Sequence, residues 1–259
     1  MIPIREIMEC AREAGVPPST IERDYAQNWF LSALQHANLV FKGGTCIRKV
    51  FIENYRFSDD LDFTLPEQIG ADAVLATISN AIVQVREESG IPFEDNPGLR
   101  QTRTGFKATV RFRILNRASA SPVKIDLDLT DPGDENLFLP VTRRTVFHQY
   151  SDDLPLAVTS YSLEEIMAEK IRSLFQRTRS RDLYDVGQLA DRVDRLIVKS
   201  ILFRKCEPKG IVVDSTVFAG KREQFSALWQ VSLGHQMKAV PDFKESFEKV
   251  LTEIDGYSA

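Results

Sequence analysis

Cysteine and histidine are scarce in this chain of 259 residues, with three of each. Cys10, Cys46 and Cys206 lie far apart, and His36, His148 and His235 are equally scattered. No C-x-x-C pair occurs, so neither a zinc set nor a disulfide framework organises the fold, and the thiols are expected to be reduced. Long apolar runs are also missing. Nothing approaches the ~20 residues of a membrane span, and the N-terminal MIPIREIMECAREAG is charged throughout, unlike a secretory signal. The expectation is a cytoplasmic protein with no membrane partner. There is no Gly/Ser linker, low-complexity tract or internal repeat. An excess of positive charge is absent too: the net charge is −4, so any nucleic acid must be met by a local basic patch. Finally, there is no G-x-x-x-x-G-K-[ST], which excludes a P-loop.

What remains is ordinary globular material, 43% hydrophobic and 27% charged, enough for one large or two small domains with real cores. Ile4, Ile7, Met8 and Ala11 follow helical spacing, and Gly15 and Pro17-Pro18 end that helix. Ser19 or Thr20 is placed to cap a second helix, with Glu22 and Asp24 in its first turn and Tyr25, Trp29, Phe30 and Leu34 on its buried side. A short apolar run, Leu39 to Phe41, leads into Lys42-Gly43-Gly44-Thr45 and a further helix. LDFTL reads as a strand ended by Pro66, and residues 67–89 as a helix with Leu75, Ile78, Ile82 and Val85 in one stripe. Residues 104–115 and SPVKIDLDLT alternate as half-buried strands. From Ser162, a cap with Glu165 three residues on, the pattern is helical. The division expected is a mixed α/β part, 1–155, with N-terminal helices, and a helical part, 156–259, joined through a proline-rich connection.

The chemistry concentrates in FKGGTCIRKVFIENYRFSDDLDF, Phe41 to Phe63. Side chains two apart on a strand share a face, so Asp60 and Asp62 point together while Leu61 and Phe63 point to the core. Paired carboxylates repel, and a divalent cation removes that cost. Magnesium takes one or two carboxylates plus substrate phosphates, so the pair suits a magnesium–nucleotide complex. Asp126 and Asp128 form a second pair. If their strand lies beside the first, three carboxylates converge and could hold two metals for phosphoryl or nucleotidyl transfer. Gly43 and Gly44 allow close backbone approach of phosphates. Each feature alone is commonplace, because a glycine pair is usually a turn and a D-x-D is usually a solvated face. Their order and short spacing carry the signal.

Gly-Gly-Thr opening a helix, followed by RFSDDLDF, resembles the nucleotidyltransferase superfamily related to DNA polymerase beta. KGGTCIRKVF, RFSDDLDF, EKIRSLFQRTRSRDLYDV and the helix IERDYAQNWFLSAL together resemble the AbiEii/AbiGii toxin family over roughly residues 20–190. The resemblance implies an α+β fold: a polymerase-beta-type core of mixed sheet and helices, then a helical C-terminal domain, in a bilobed molecule. It implies Asp60, Asp62 and Asp126 as metal ligands and catalytic residues. Lys42, Gly43, Gly44, Thr45 and Ser58 would bind the nucleotide. In the helical part Lys170 and Asp185 would be catalytic, and Arg181 and Asp182 would assist nucleotide binding. Asp182 is equally suited to a helix cap, and Arg–Asp pairs often brace an interface. Two Mg²⁺, an NTP substrate, a cognate antitoxin and a tRNA 3′ end as acceptor complete the implied picture. Basic runs (Lys107, Arg111 and Arg113; Arg143-Arg144; Arg177, Arg179 and Arg181) would hold phosphates, or are simply solvated charge. Two alternatives stay open: nucleotidylylation of a protein or small-molecule hydroxyl, and a nucleotide-binding regulatory module without turnover.

Overall fold

Alternation at residues 105–112 and 123–130 builds two neighbouring strands of a seven-stranded sheet in the computed structural model, which describes residues 1–115, 121–133 and 137–258. The elements of the first unit, Met1–Glu135 with Val141–Tyr161, begin with α1 (Ile4–Ala14) and α2 (Pro18–Leu34). Then come β1 (Val40–Lys42), α3 (Gly43–Cys46) running into a π-helical turn (Ile47–Phe51), β2 (Asp60–Thr64) and α4 (Ala71–Ser89). The strands β3 (Gly98–Thr102), β4 (Gly105–Phe112), β5 (Val123–Thr130), β6 (Thr142–Thr145) and β7 (Ala157–Ser160) complete it. The order across the sheet is β3-β4-β5-β2-β1-β7-β6. β2 runs parallel to β5 and β1 parallel to β7, while the other neighbours are antiparallel. The fold is therefore mixed α+β.

One sheet face is apolar: Leu61, Phe63, Ala108, Val110, Phe112, Ile125 and Leu127 are all buried. Helices α2 and α4 pack against each other, with α2 also against β5 and α4 against β3, and Phe30, Phe93 and Phe112 form a chain of ring contacts. Each such side chain contributes about 1.5–3 kcal/mol by leaving water. The stripe of α4 differs from the expectation. Leu75 is exposed and Val74 is buried in its place: both positions keep helical spacing with 78, 82 and 85, and the packing of α4 on α2 and β3 covers the side that holds Val74 and Ala81. In α1, likewise, only Ile7 and Ala11 of the four spaced positions are buried.

Helix α2 is the polar spine of this unit. It starts at Pro18 after Pro17, so Ser19 and Thr20 are not its cap, and Glu22 and Asp24 lie buried within it. Each polar side chain holds a segment that sheet pairing leaves loose. Glu22 accepts the amides of Ile114 and Leu115 (2.7 and 2.9 Å). Asp24 receives Arg48 and Lys49 (2.7 and 2.8 Å) and the Tyr150 hydroxyl (2.7 Å). Asn28 donates to the Phe147 carbonyl.

The second unit, Asn136–Pro140 with Ser162–Ala259, is helical in its described residues. It comprises α5 (Leu163–Gln176), α6 (Ser180–Leu189), α7 (Arg195–Cys206), α8 (Ser215–Ala219), α9 (Arg222–Leu233) and α10 (Phe243–Asp255). Phe218, Phe225 and Phe247 are buried at its core, with Phe218 stacked on Phe247 at 4.9 Å. Ser162 caps α5 by accepting the Glu165 amide. Glu165 does not complete a capping box by itself turning outward. It is fully buried, accepts the amides of Phe138 and Leu139, and pairs with Lys205 at 2.5 Å. A buried charge goes to the strongest donors within reach, and an ammonium outbids an exposed cap. No described helix is long and apolar enough to cross a membrane.

Candidate active site

The parallel pairing of β2 with β5 sets Asp60 beside Asp126 and Asp62 beside Asp128. Paired residues project to the same side of a sheet, and neighbouring strands lie about 4.8 Å apart. Four carboxylates thus share one face, while Leu61, Phe63, Leu127 and Leu129 take the buried one. The strand–turn that precedes them is shaped to fit. Lys42 ends β1 opposite Asp62, buried, with the Tyr161 ring 5.6 Å from its ammonium. Gly43 follows at φ +78, and a Cβ there would lie 2.9 Å from Asp62 Cγ. Only glycine supplies both the backbone angle and the room. A Cβ on Gly44 would meet Arg56 Nη2 at 2.8 Å and Ser58 Oγ at 3.2 Å. Thr45 Oγ1 donates to the Asp60 carbonyl, tying the turn to the acidic strand.

The charges are not equivalent. Asp126 accepts Thr109 Oγ1 (2.6 Å) and Lys124 Nζ (2.8 Å), one on each oxygen. Burial pushes its carboxyl up, but these hydrogen bonds and the charges of Lys124 and Lys107 win and hold it below the usual range. It is an anion at neutral pH. Asp128 pairs with Lys107 at 3.2 Å. Asp59, between the site and α2, pairs with Arg23 at 2.5 Å.

Among the described residues no group of three or more His, Cys, Asp or Glu side chains is placed to hold a metal ion. The donor set nevertheless suits magnesium, which takes one or two carboxylates and completes its shell with water and phosphate oxygens. Asp60 and Asp62, hard oxygen donors two apart on one strand beside a bare glycine turn, meet that description.

The remaining residues singled out in the sequence lie in the second unit. Lys170 on α5 is held by Asp182 (2.7 Å) and Asp185 (2.8 Å) of α6, and Asp182 also takes Arg177 Nε at 3.0 Å. Asp182 and Asp185 are buried. Burial opposes the Asp182 charge, yet Lys170 and Arg177 hold its carboxyl well below the ordinary range. Arg181 sits half-buried on the same helix. The three-residue spacing of the aspartates thus converges on one ammonium.

Sequence reasoning missed Arg56, buried against the glycine turn, and the α2 residues that hold the acidic strands. The RFSDDLDF motif contained Arg56, but nothing in a linear pattern says that a guanidinium will lie under Gly44. It also left open the basic side chains. Arg100, Lys107, Arg111 and Lys124 fall on the acidic face by strand register, forming a basic edge on β3, β4 and β5. Arg143 is instead committed to Gln35, and Arg144 lies over the Phe51 ring.

Comparison with known proteins bears on the fold and the family. No curated protein shows significant sequence similarity. Among solved structures, MenT4, a nucleotidyltransferase toxin from Mycobacterium tuberculosis H37Rv, shares the fold with a TM-score of 0.64 at 20% identity. That match covers 99% of this chain and 90% of MenT4. JHP933 from Helicobacter pylori shares it with a TM-score of 0.61 at 16% identity, covering 93% and 92% of the two chains. The profile described as the nucleotidyl transferase AbiEii toxin of type IV toxin–antitoxin systems matches residues 29–253. With the D-x-D strand and glycine turn inside that span, this chain belongs to the AbiEii family of nucleotidyltransferase toxins.

Proposed function

We propose that this nucleotidyltransferase moves a nucleoside monophosphate from a magnesium-bound NTP to a terminal hydroxyl of RNA, with the 3′ end of tRNA as the acceptor. The observation that carries the reading is the register Asp60–Asp126 on one sheet face, next to the Gly43-Gly44 turn. Asp60 and Asp62 would hold magnesium, with Asp126 as the third carboxylate. The metal, when bound, neutralises the triphosphate and stabilises charge on the leaving group. Gly44, Thr45 and Ser58 line the phosphates, with Lys42 and Gly43 shaping the turn. The acceptor oxygen attacks the α-phosphorus, a new P–O bond forms, and the bond to the β-phosphate oxygen breaks to release pyrophosphate. Asp126 orients the hydroxyl, and its proton passes through that carboxylate to water.

Arg100 and Arg111 on the basic edge support a nucleic-acid acceptor, since arginine binds phosphates without reading sequence, while Lys107 and Lys124 are engaged with Asp128 and Asp126. Family resemblance gives Lys170, Asp185, Asp182 and Arg181 of the second unit a share in charge stabilisation. A toxin of this family is paired with an antitoxin, and blocked aminoacylation of tRNA would account for growth arrest.

The test is a labelling assay. Purified protein, Mg²⁺, each α-³²P NTP in turn and total bacterial RNA are resolved on a denaturing gel, with Asp60→Ala as control. A labelled tRNA-sized band that the variant reduces by about a thousandfold is the expected result. Label on protein or on a small molecule would move the acceptor to those classes. No label from folded enzyme with any acceptor would leave a nucleotide-binding module and refute the reading.

A further inference from the structure

Two parallel strands have no hairpin to set their register, and a one-residue slip would carry every side chain to the opposite face. For β2 and β5 such a slip would bury the aspartates and expose leucines. Something must pin the two starts, and the side chains that do so come from α2. Arg23 reaches both: Nη1 to Asp59 Oδ1 at 2.5 Å, just before β2, and Nε to the Lys124 carbonyl at 2.9 Å, at the start of β5. Gln27 stands one turn further along the same helix face. Its Nε2 donates to the carbonyls of Ser58 (3.1 Å) and Asp59 (3.0 Å).

Gln27 is fully buried, and its Oε1 has no hydrogen-bond partner. A buried amide with an orphaned oxygen costs stability that an apolar residue of the same shape would avoid. Its donors are what the position needs. Asp59 is diverted as well: with its carboxylate held by Arg23, the acidic run Asp59-Asp60 cannot exchange roles, and Asp60 alone faces Asp126.

We infer that Arg23 and Gln27 are positioning residues for the transfer reaction, a clamp that fixes Asp60 against Asp126 while leaving nucleotide binding to the Gly43-Gly44 turn. The inference rests on the proposed transfer chemistry, and it separates two parts of the site. The turn and Asp62 are held by β1, through the pairing of Lys42 with Asp62. The alignment of β2 with β5 is held by α2. Loss of the clamp should therefore lower kcat and spare NTP binding.

The experiment uses the full chain with Arg23→Met, Gln27→Met and the conservative Arg23→Lys. Arg23 is part-exposed, so its variants fold even if the buried Gln27 site tolerates change poorly. Five quantities are read: kcat and KM for the NTP, the stoichiometry of a bound non-hydrolysable magnesium–NTP analogue, the melting temperature without ligand, and amide exchange at 59–62 and 124–128. The expected result is kcat lowered about 30- to 100-fold in both methionine variants, as for a reacting group displaced by an ångström. KM should stay within threefold, one analogue should bind per chain, and amide exchange at the two strand starts should accelerate tenfold or more. Arg23→Lys, which keeps one donor and the charge, should recover part of kcat. A kcat within twofold of the parent in folded variants overturns the clamp, and so does a loss that merely follows the fraction of chains binding analogue. Should the parent chain transfer no nucleotide, the transfer reading fails, and amide exchange alone decides the clamp: unchanged exchange at both strand starts refutes it.

Discussion

Gly43→Ala removes nucleotidyl transfer while the protein stays folded. The backbone at residue 43 sits at φ +78, where an L side chain is strained by about 1–2 kcal/mol. The added Cβ also falls 2.9 Å from Asp62 Cγ, closer still to a carboxylate oxygen. One of them must move, and the turn, packed on buried Lys42 and Thr45, has little slack. Asp62 is displaced from the face it shares with Asp60. A misplacement of this size costs about a hundredfold in rate or more. Gly90→Ala is the matched control, since it carries the same kind of strain at φ +72 with no atom within 4 Å of the new Cβ. It should lose a similar amount of stability and keep full activity. The comparison is read from steady-state transfer and thermal melts of both variants. Activity within threefold of the parent in Gly43→Ala would show that Asp62 does not need its present position.

Asp24→Ala should cost about 3–5 kcal/mol of stability, the range for breaking a buried ion pair by removing one partner. That is a large share of a typical total of about 5–15 kcal/mol. Asp24, Arg48 and Lys49 are all buried or nearly so, and Tyr150 closes the group. Burial pushes the Asp24 carboxyl up, yet Arg48 and Lys49 overcome it and hold it well below the ordinary range. Burial likewise draws Lys49 down to about 8, against the pull of Asp24 and with that of Arg48. Without Asp24, two cations face each other with no counter-charge. The pH dependence has a definite sign. A carboxyl whose folded pKa lies below its unfolded value of about 3.9 contributes stability above that value and loses it as pH falls. Asp24 and Asp182 both belong to this class. Stability should therefore drop steeply below about pH 4 in the parent chain, and more shallowly in Asp24→Ala. Urea titrations between pH 3 and 7 measure both slopes, and parallel slopes would refute the assignment.

Much of the candidate site's geometry was legible because it is local. Asp60 and Asp62 share a face through the two-residue period of a strand, which needs no knowledge of the rest of the chain. Gly43-Gly44 announced a turn open to close approach, whereas the convergence of Asp182 and Asp185 on Lys170 joins two helices and shows only in the fold. The errors were also local in kind. Glu22 and Asp24 look like first-turn acids at a helix start, a pattern worth a fraction of a kcal/mol, whereas the structure gives them buried partners worth several times more. The stripe expected through Leu75 misses Val74, an apolar neighbour, because only the packing of α4 on α2 and β3 decides which side of it is covered. β3 (GLRQT) and β6 (TRRT) carry almost no apolar residues to alternate, and β7 is only four residues long.

By itself the sequence determined the reaction class, through the order of the glycine turn and the aspartate pair, and the alternation that separates the acidic face from the apolar one. Tertiary structure alone decided which strand lies beside β2, and hence that Asp126 faces Asp60. It also decided which basic residues join that face and which are spent on other partners. The physical reason is sequence distance. Arg23 meets Lys124 across 101 positions and Tyr150 meets Asp24 across 126. Pairings over such separations are chosen by packing of the whole unit, not by the propensity of any window of residues.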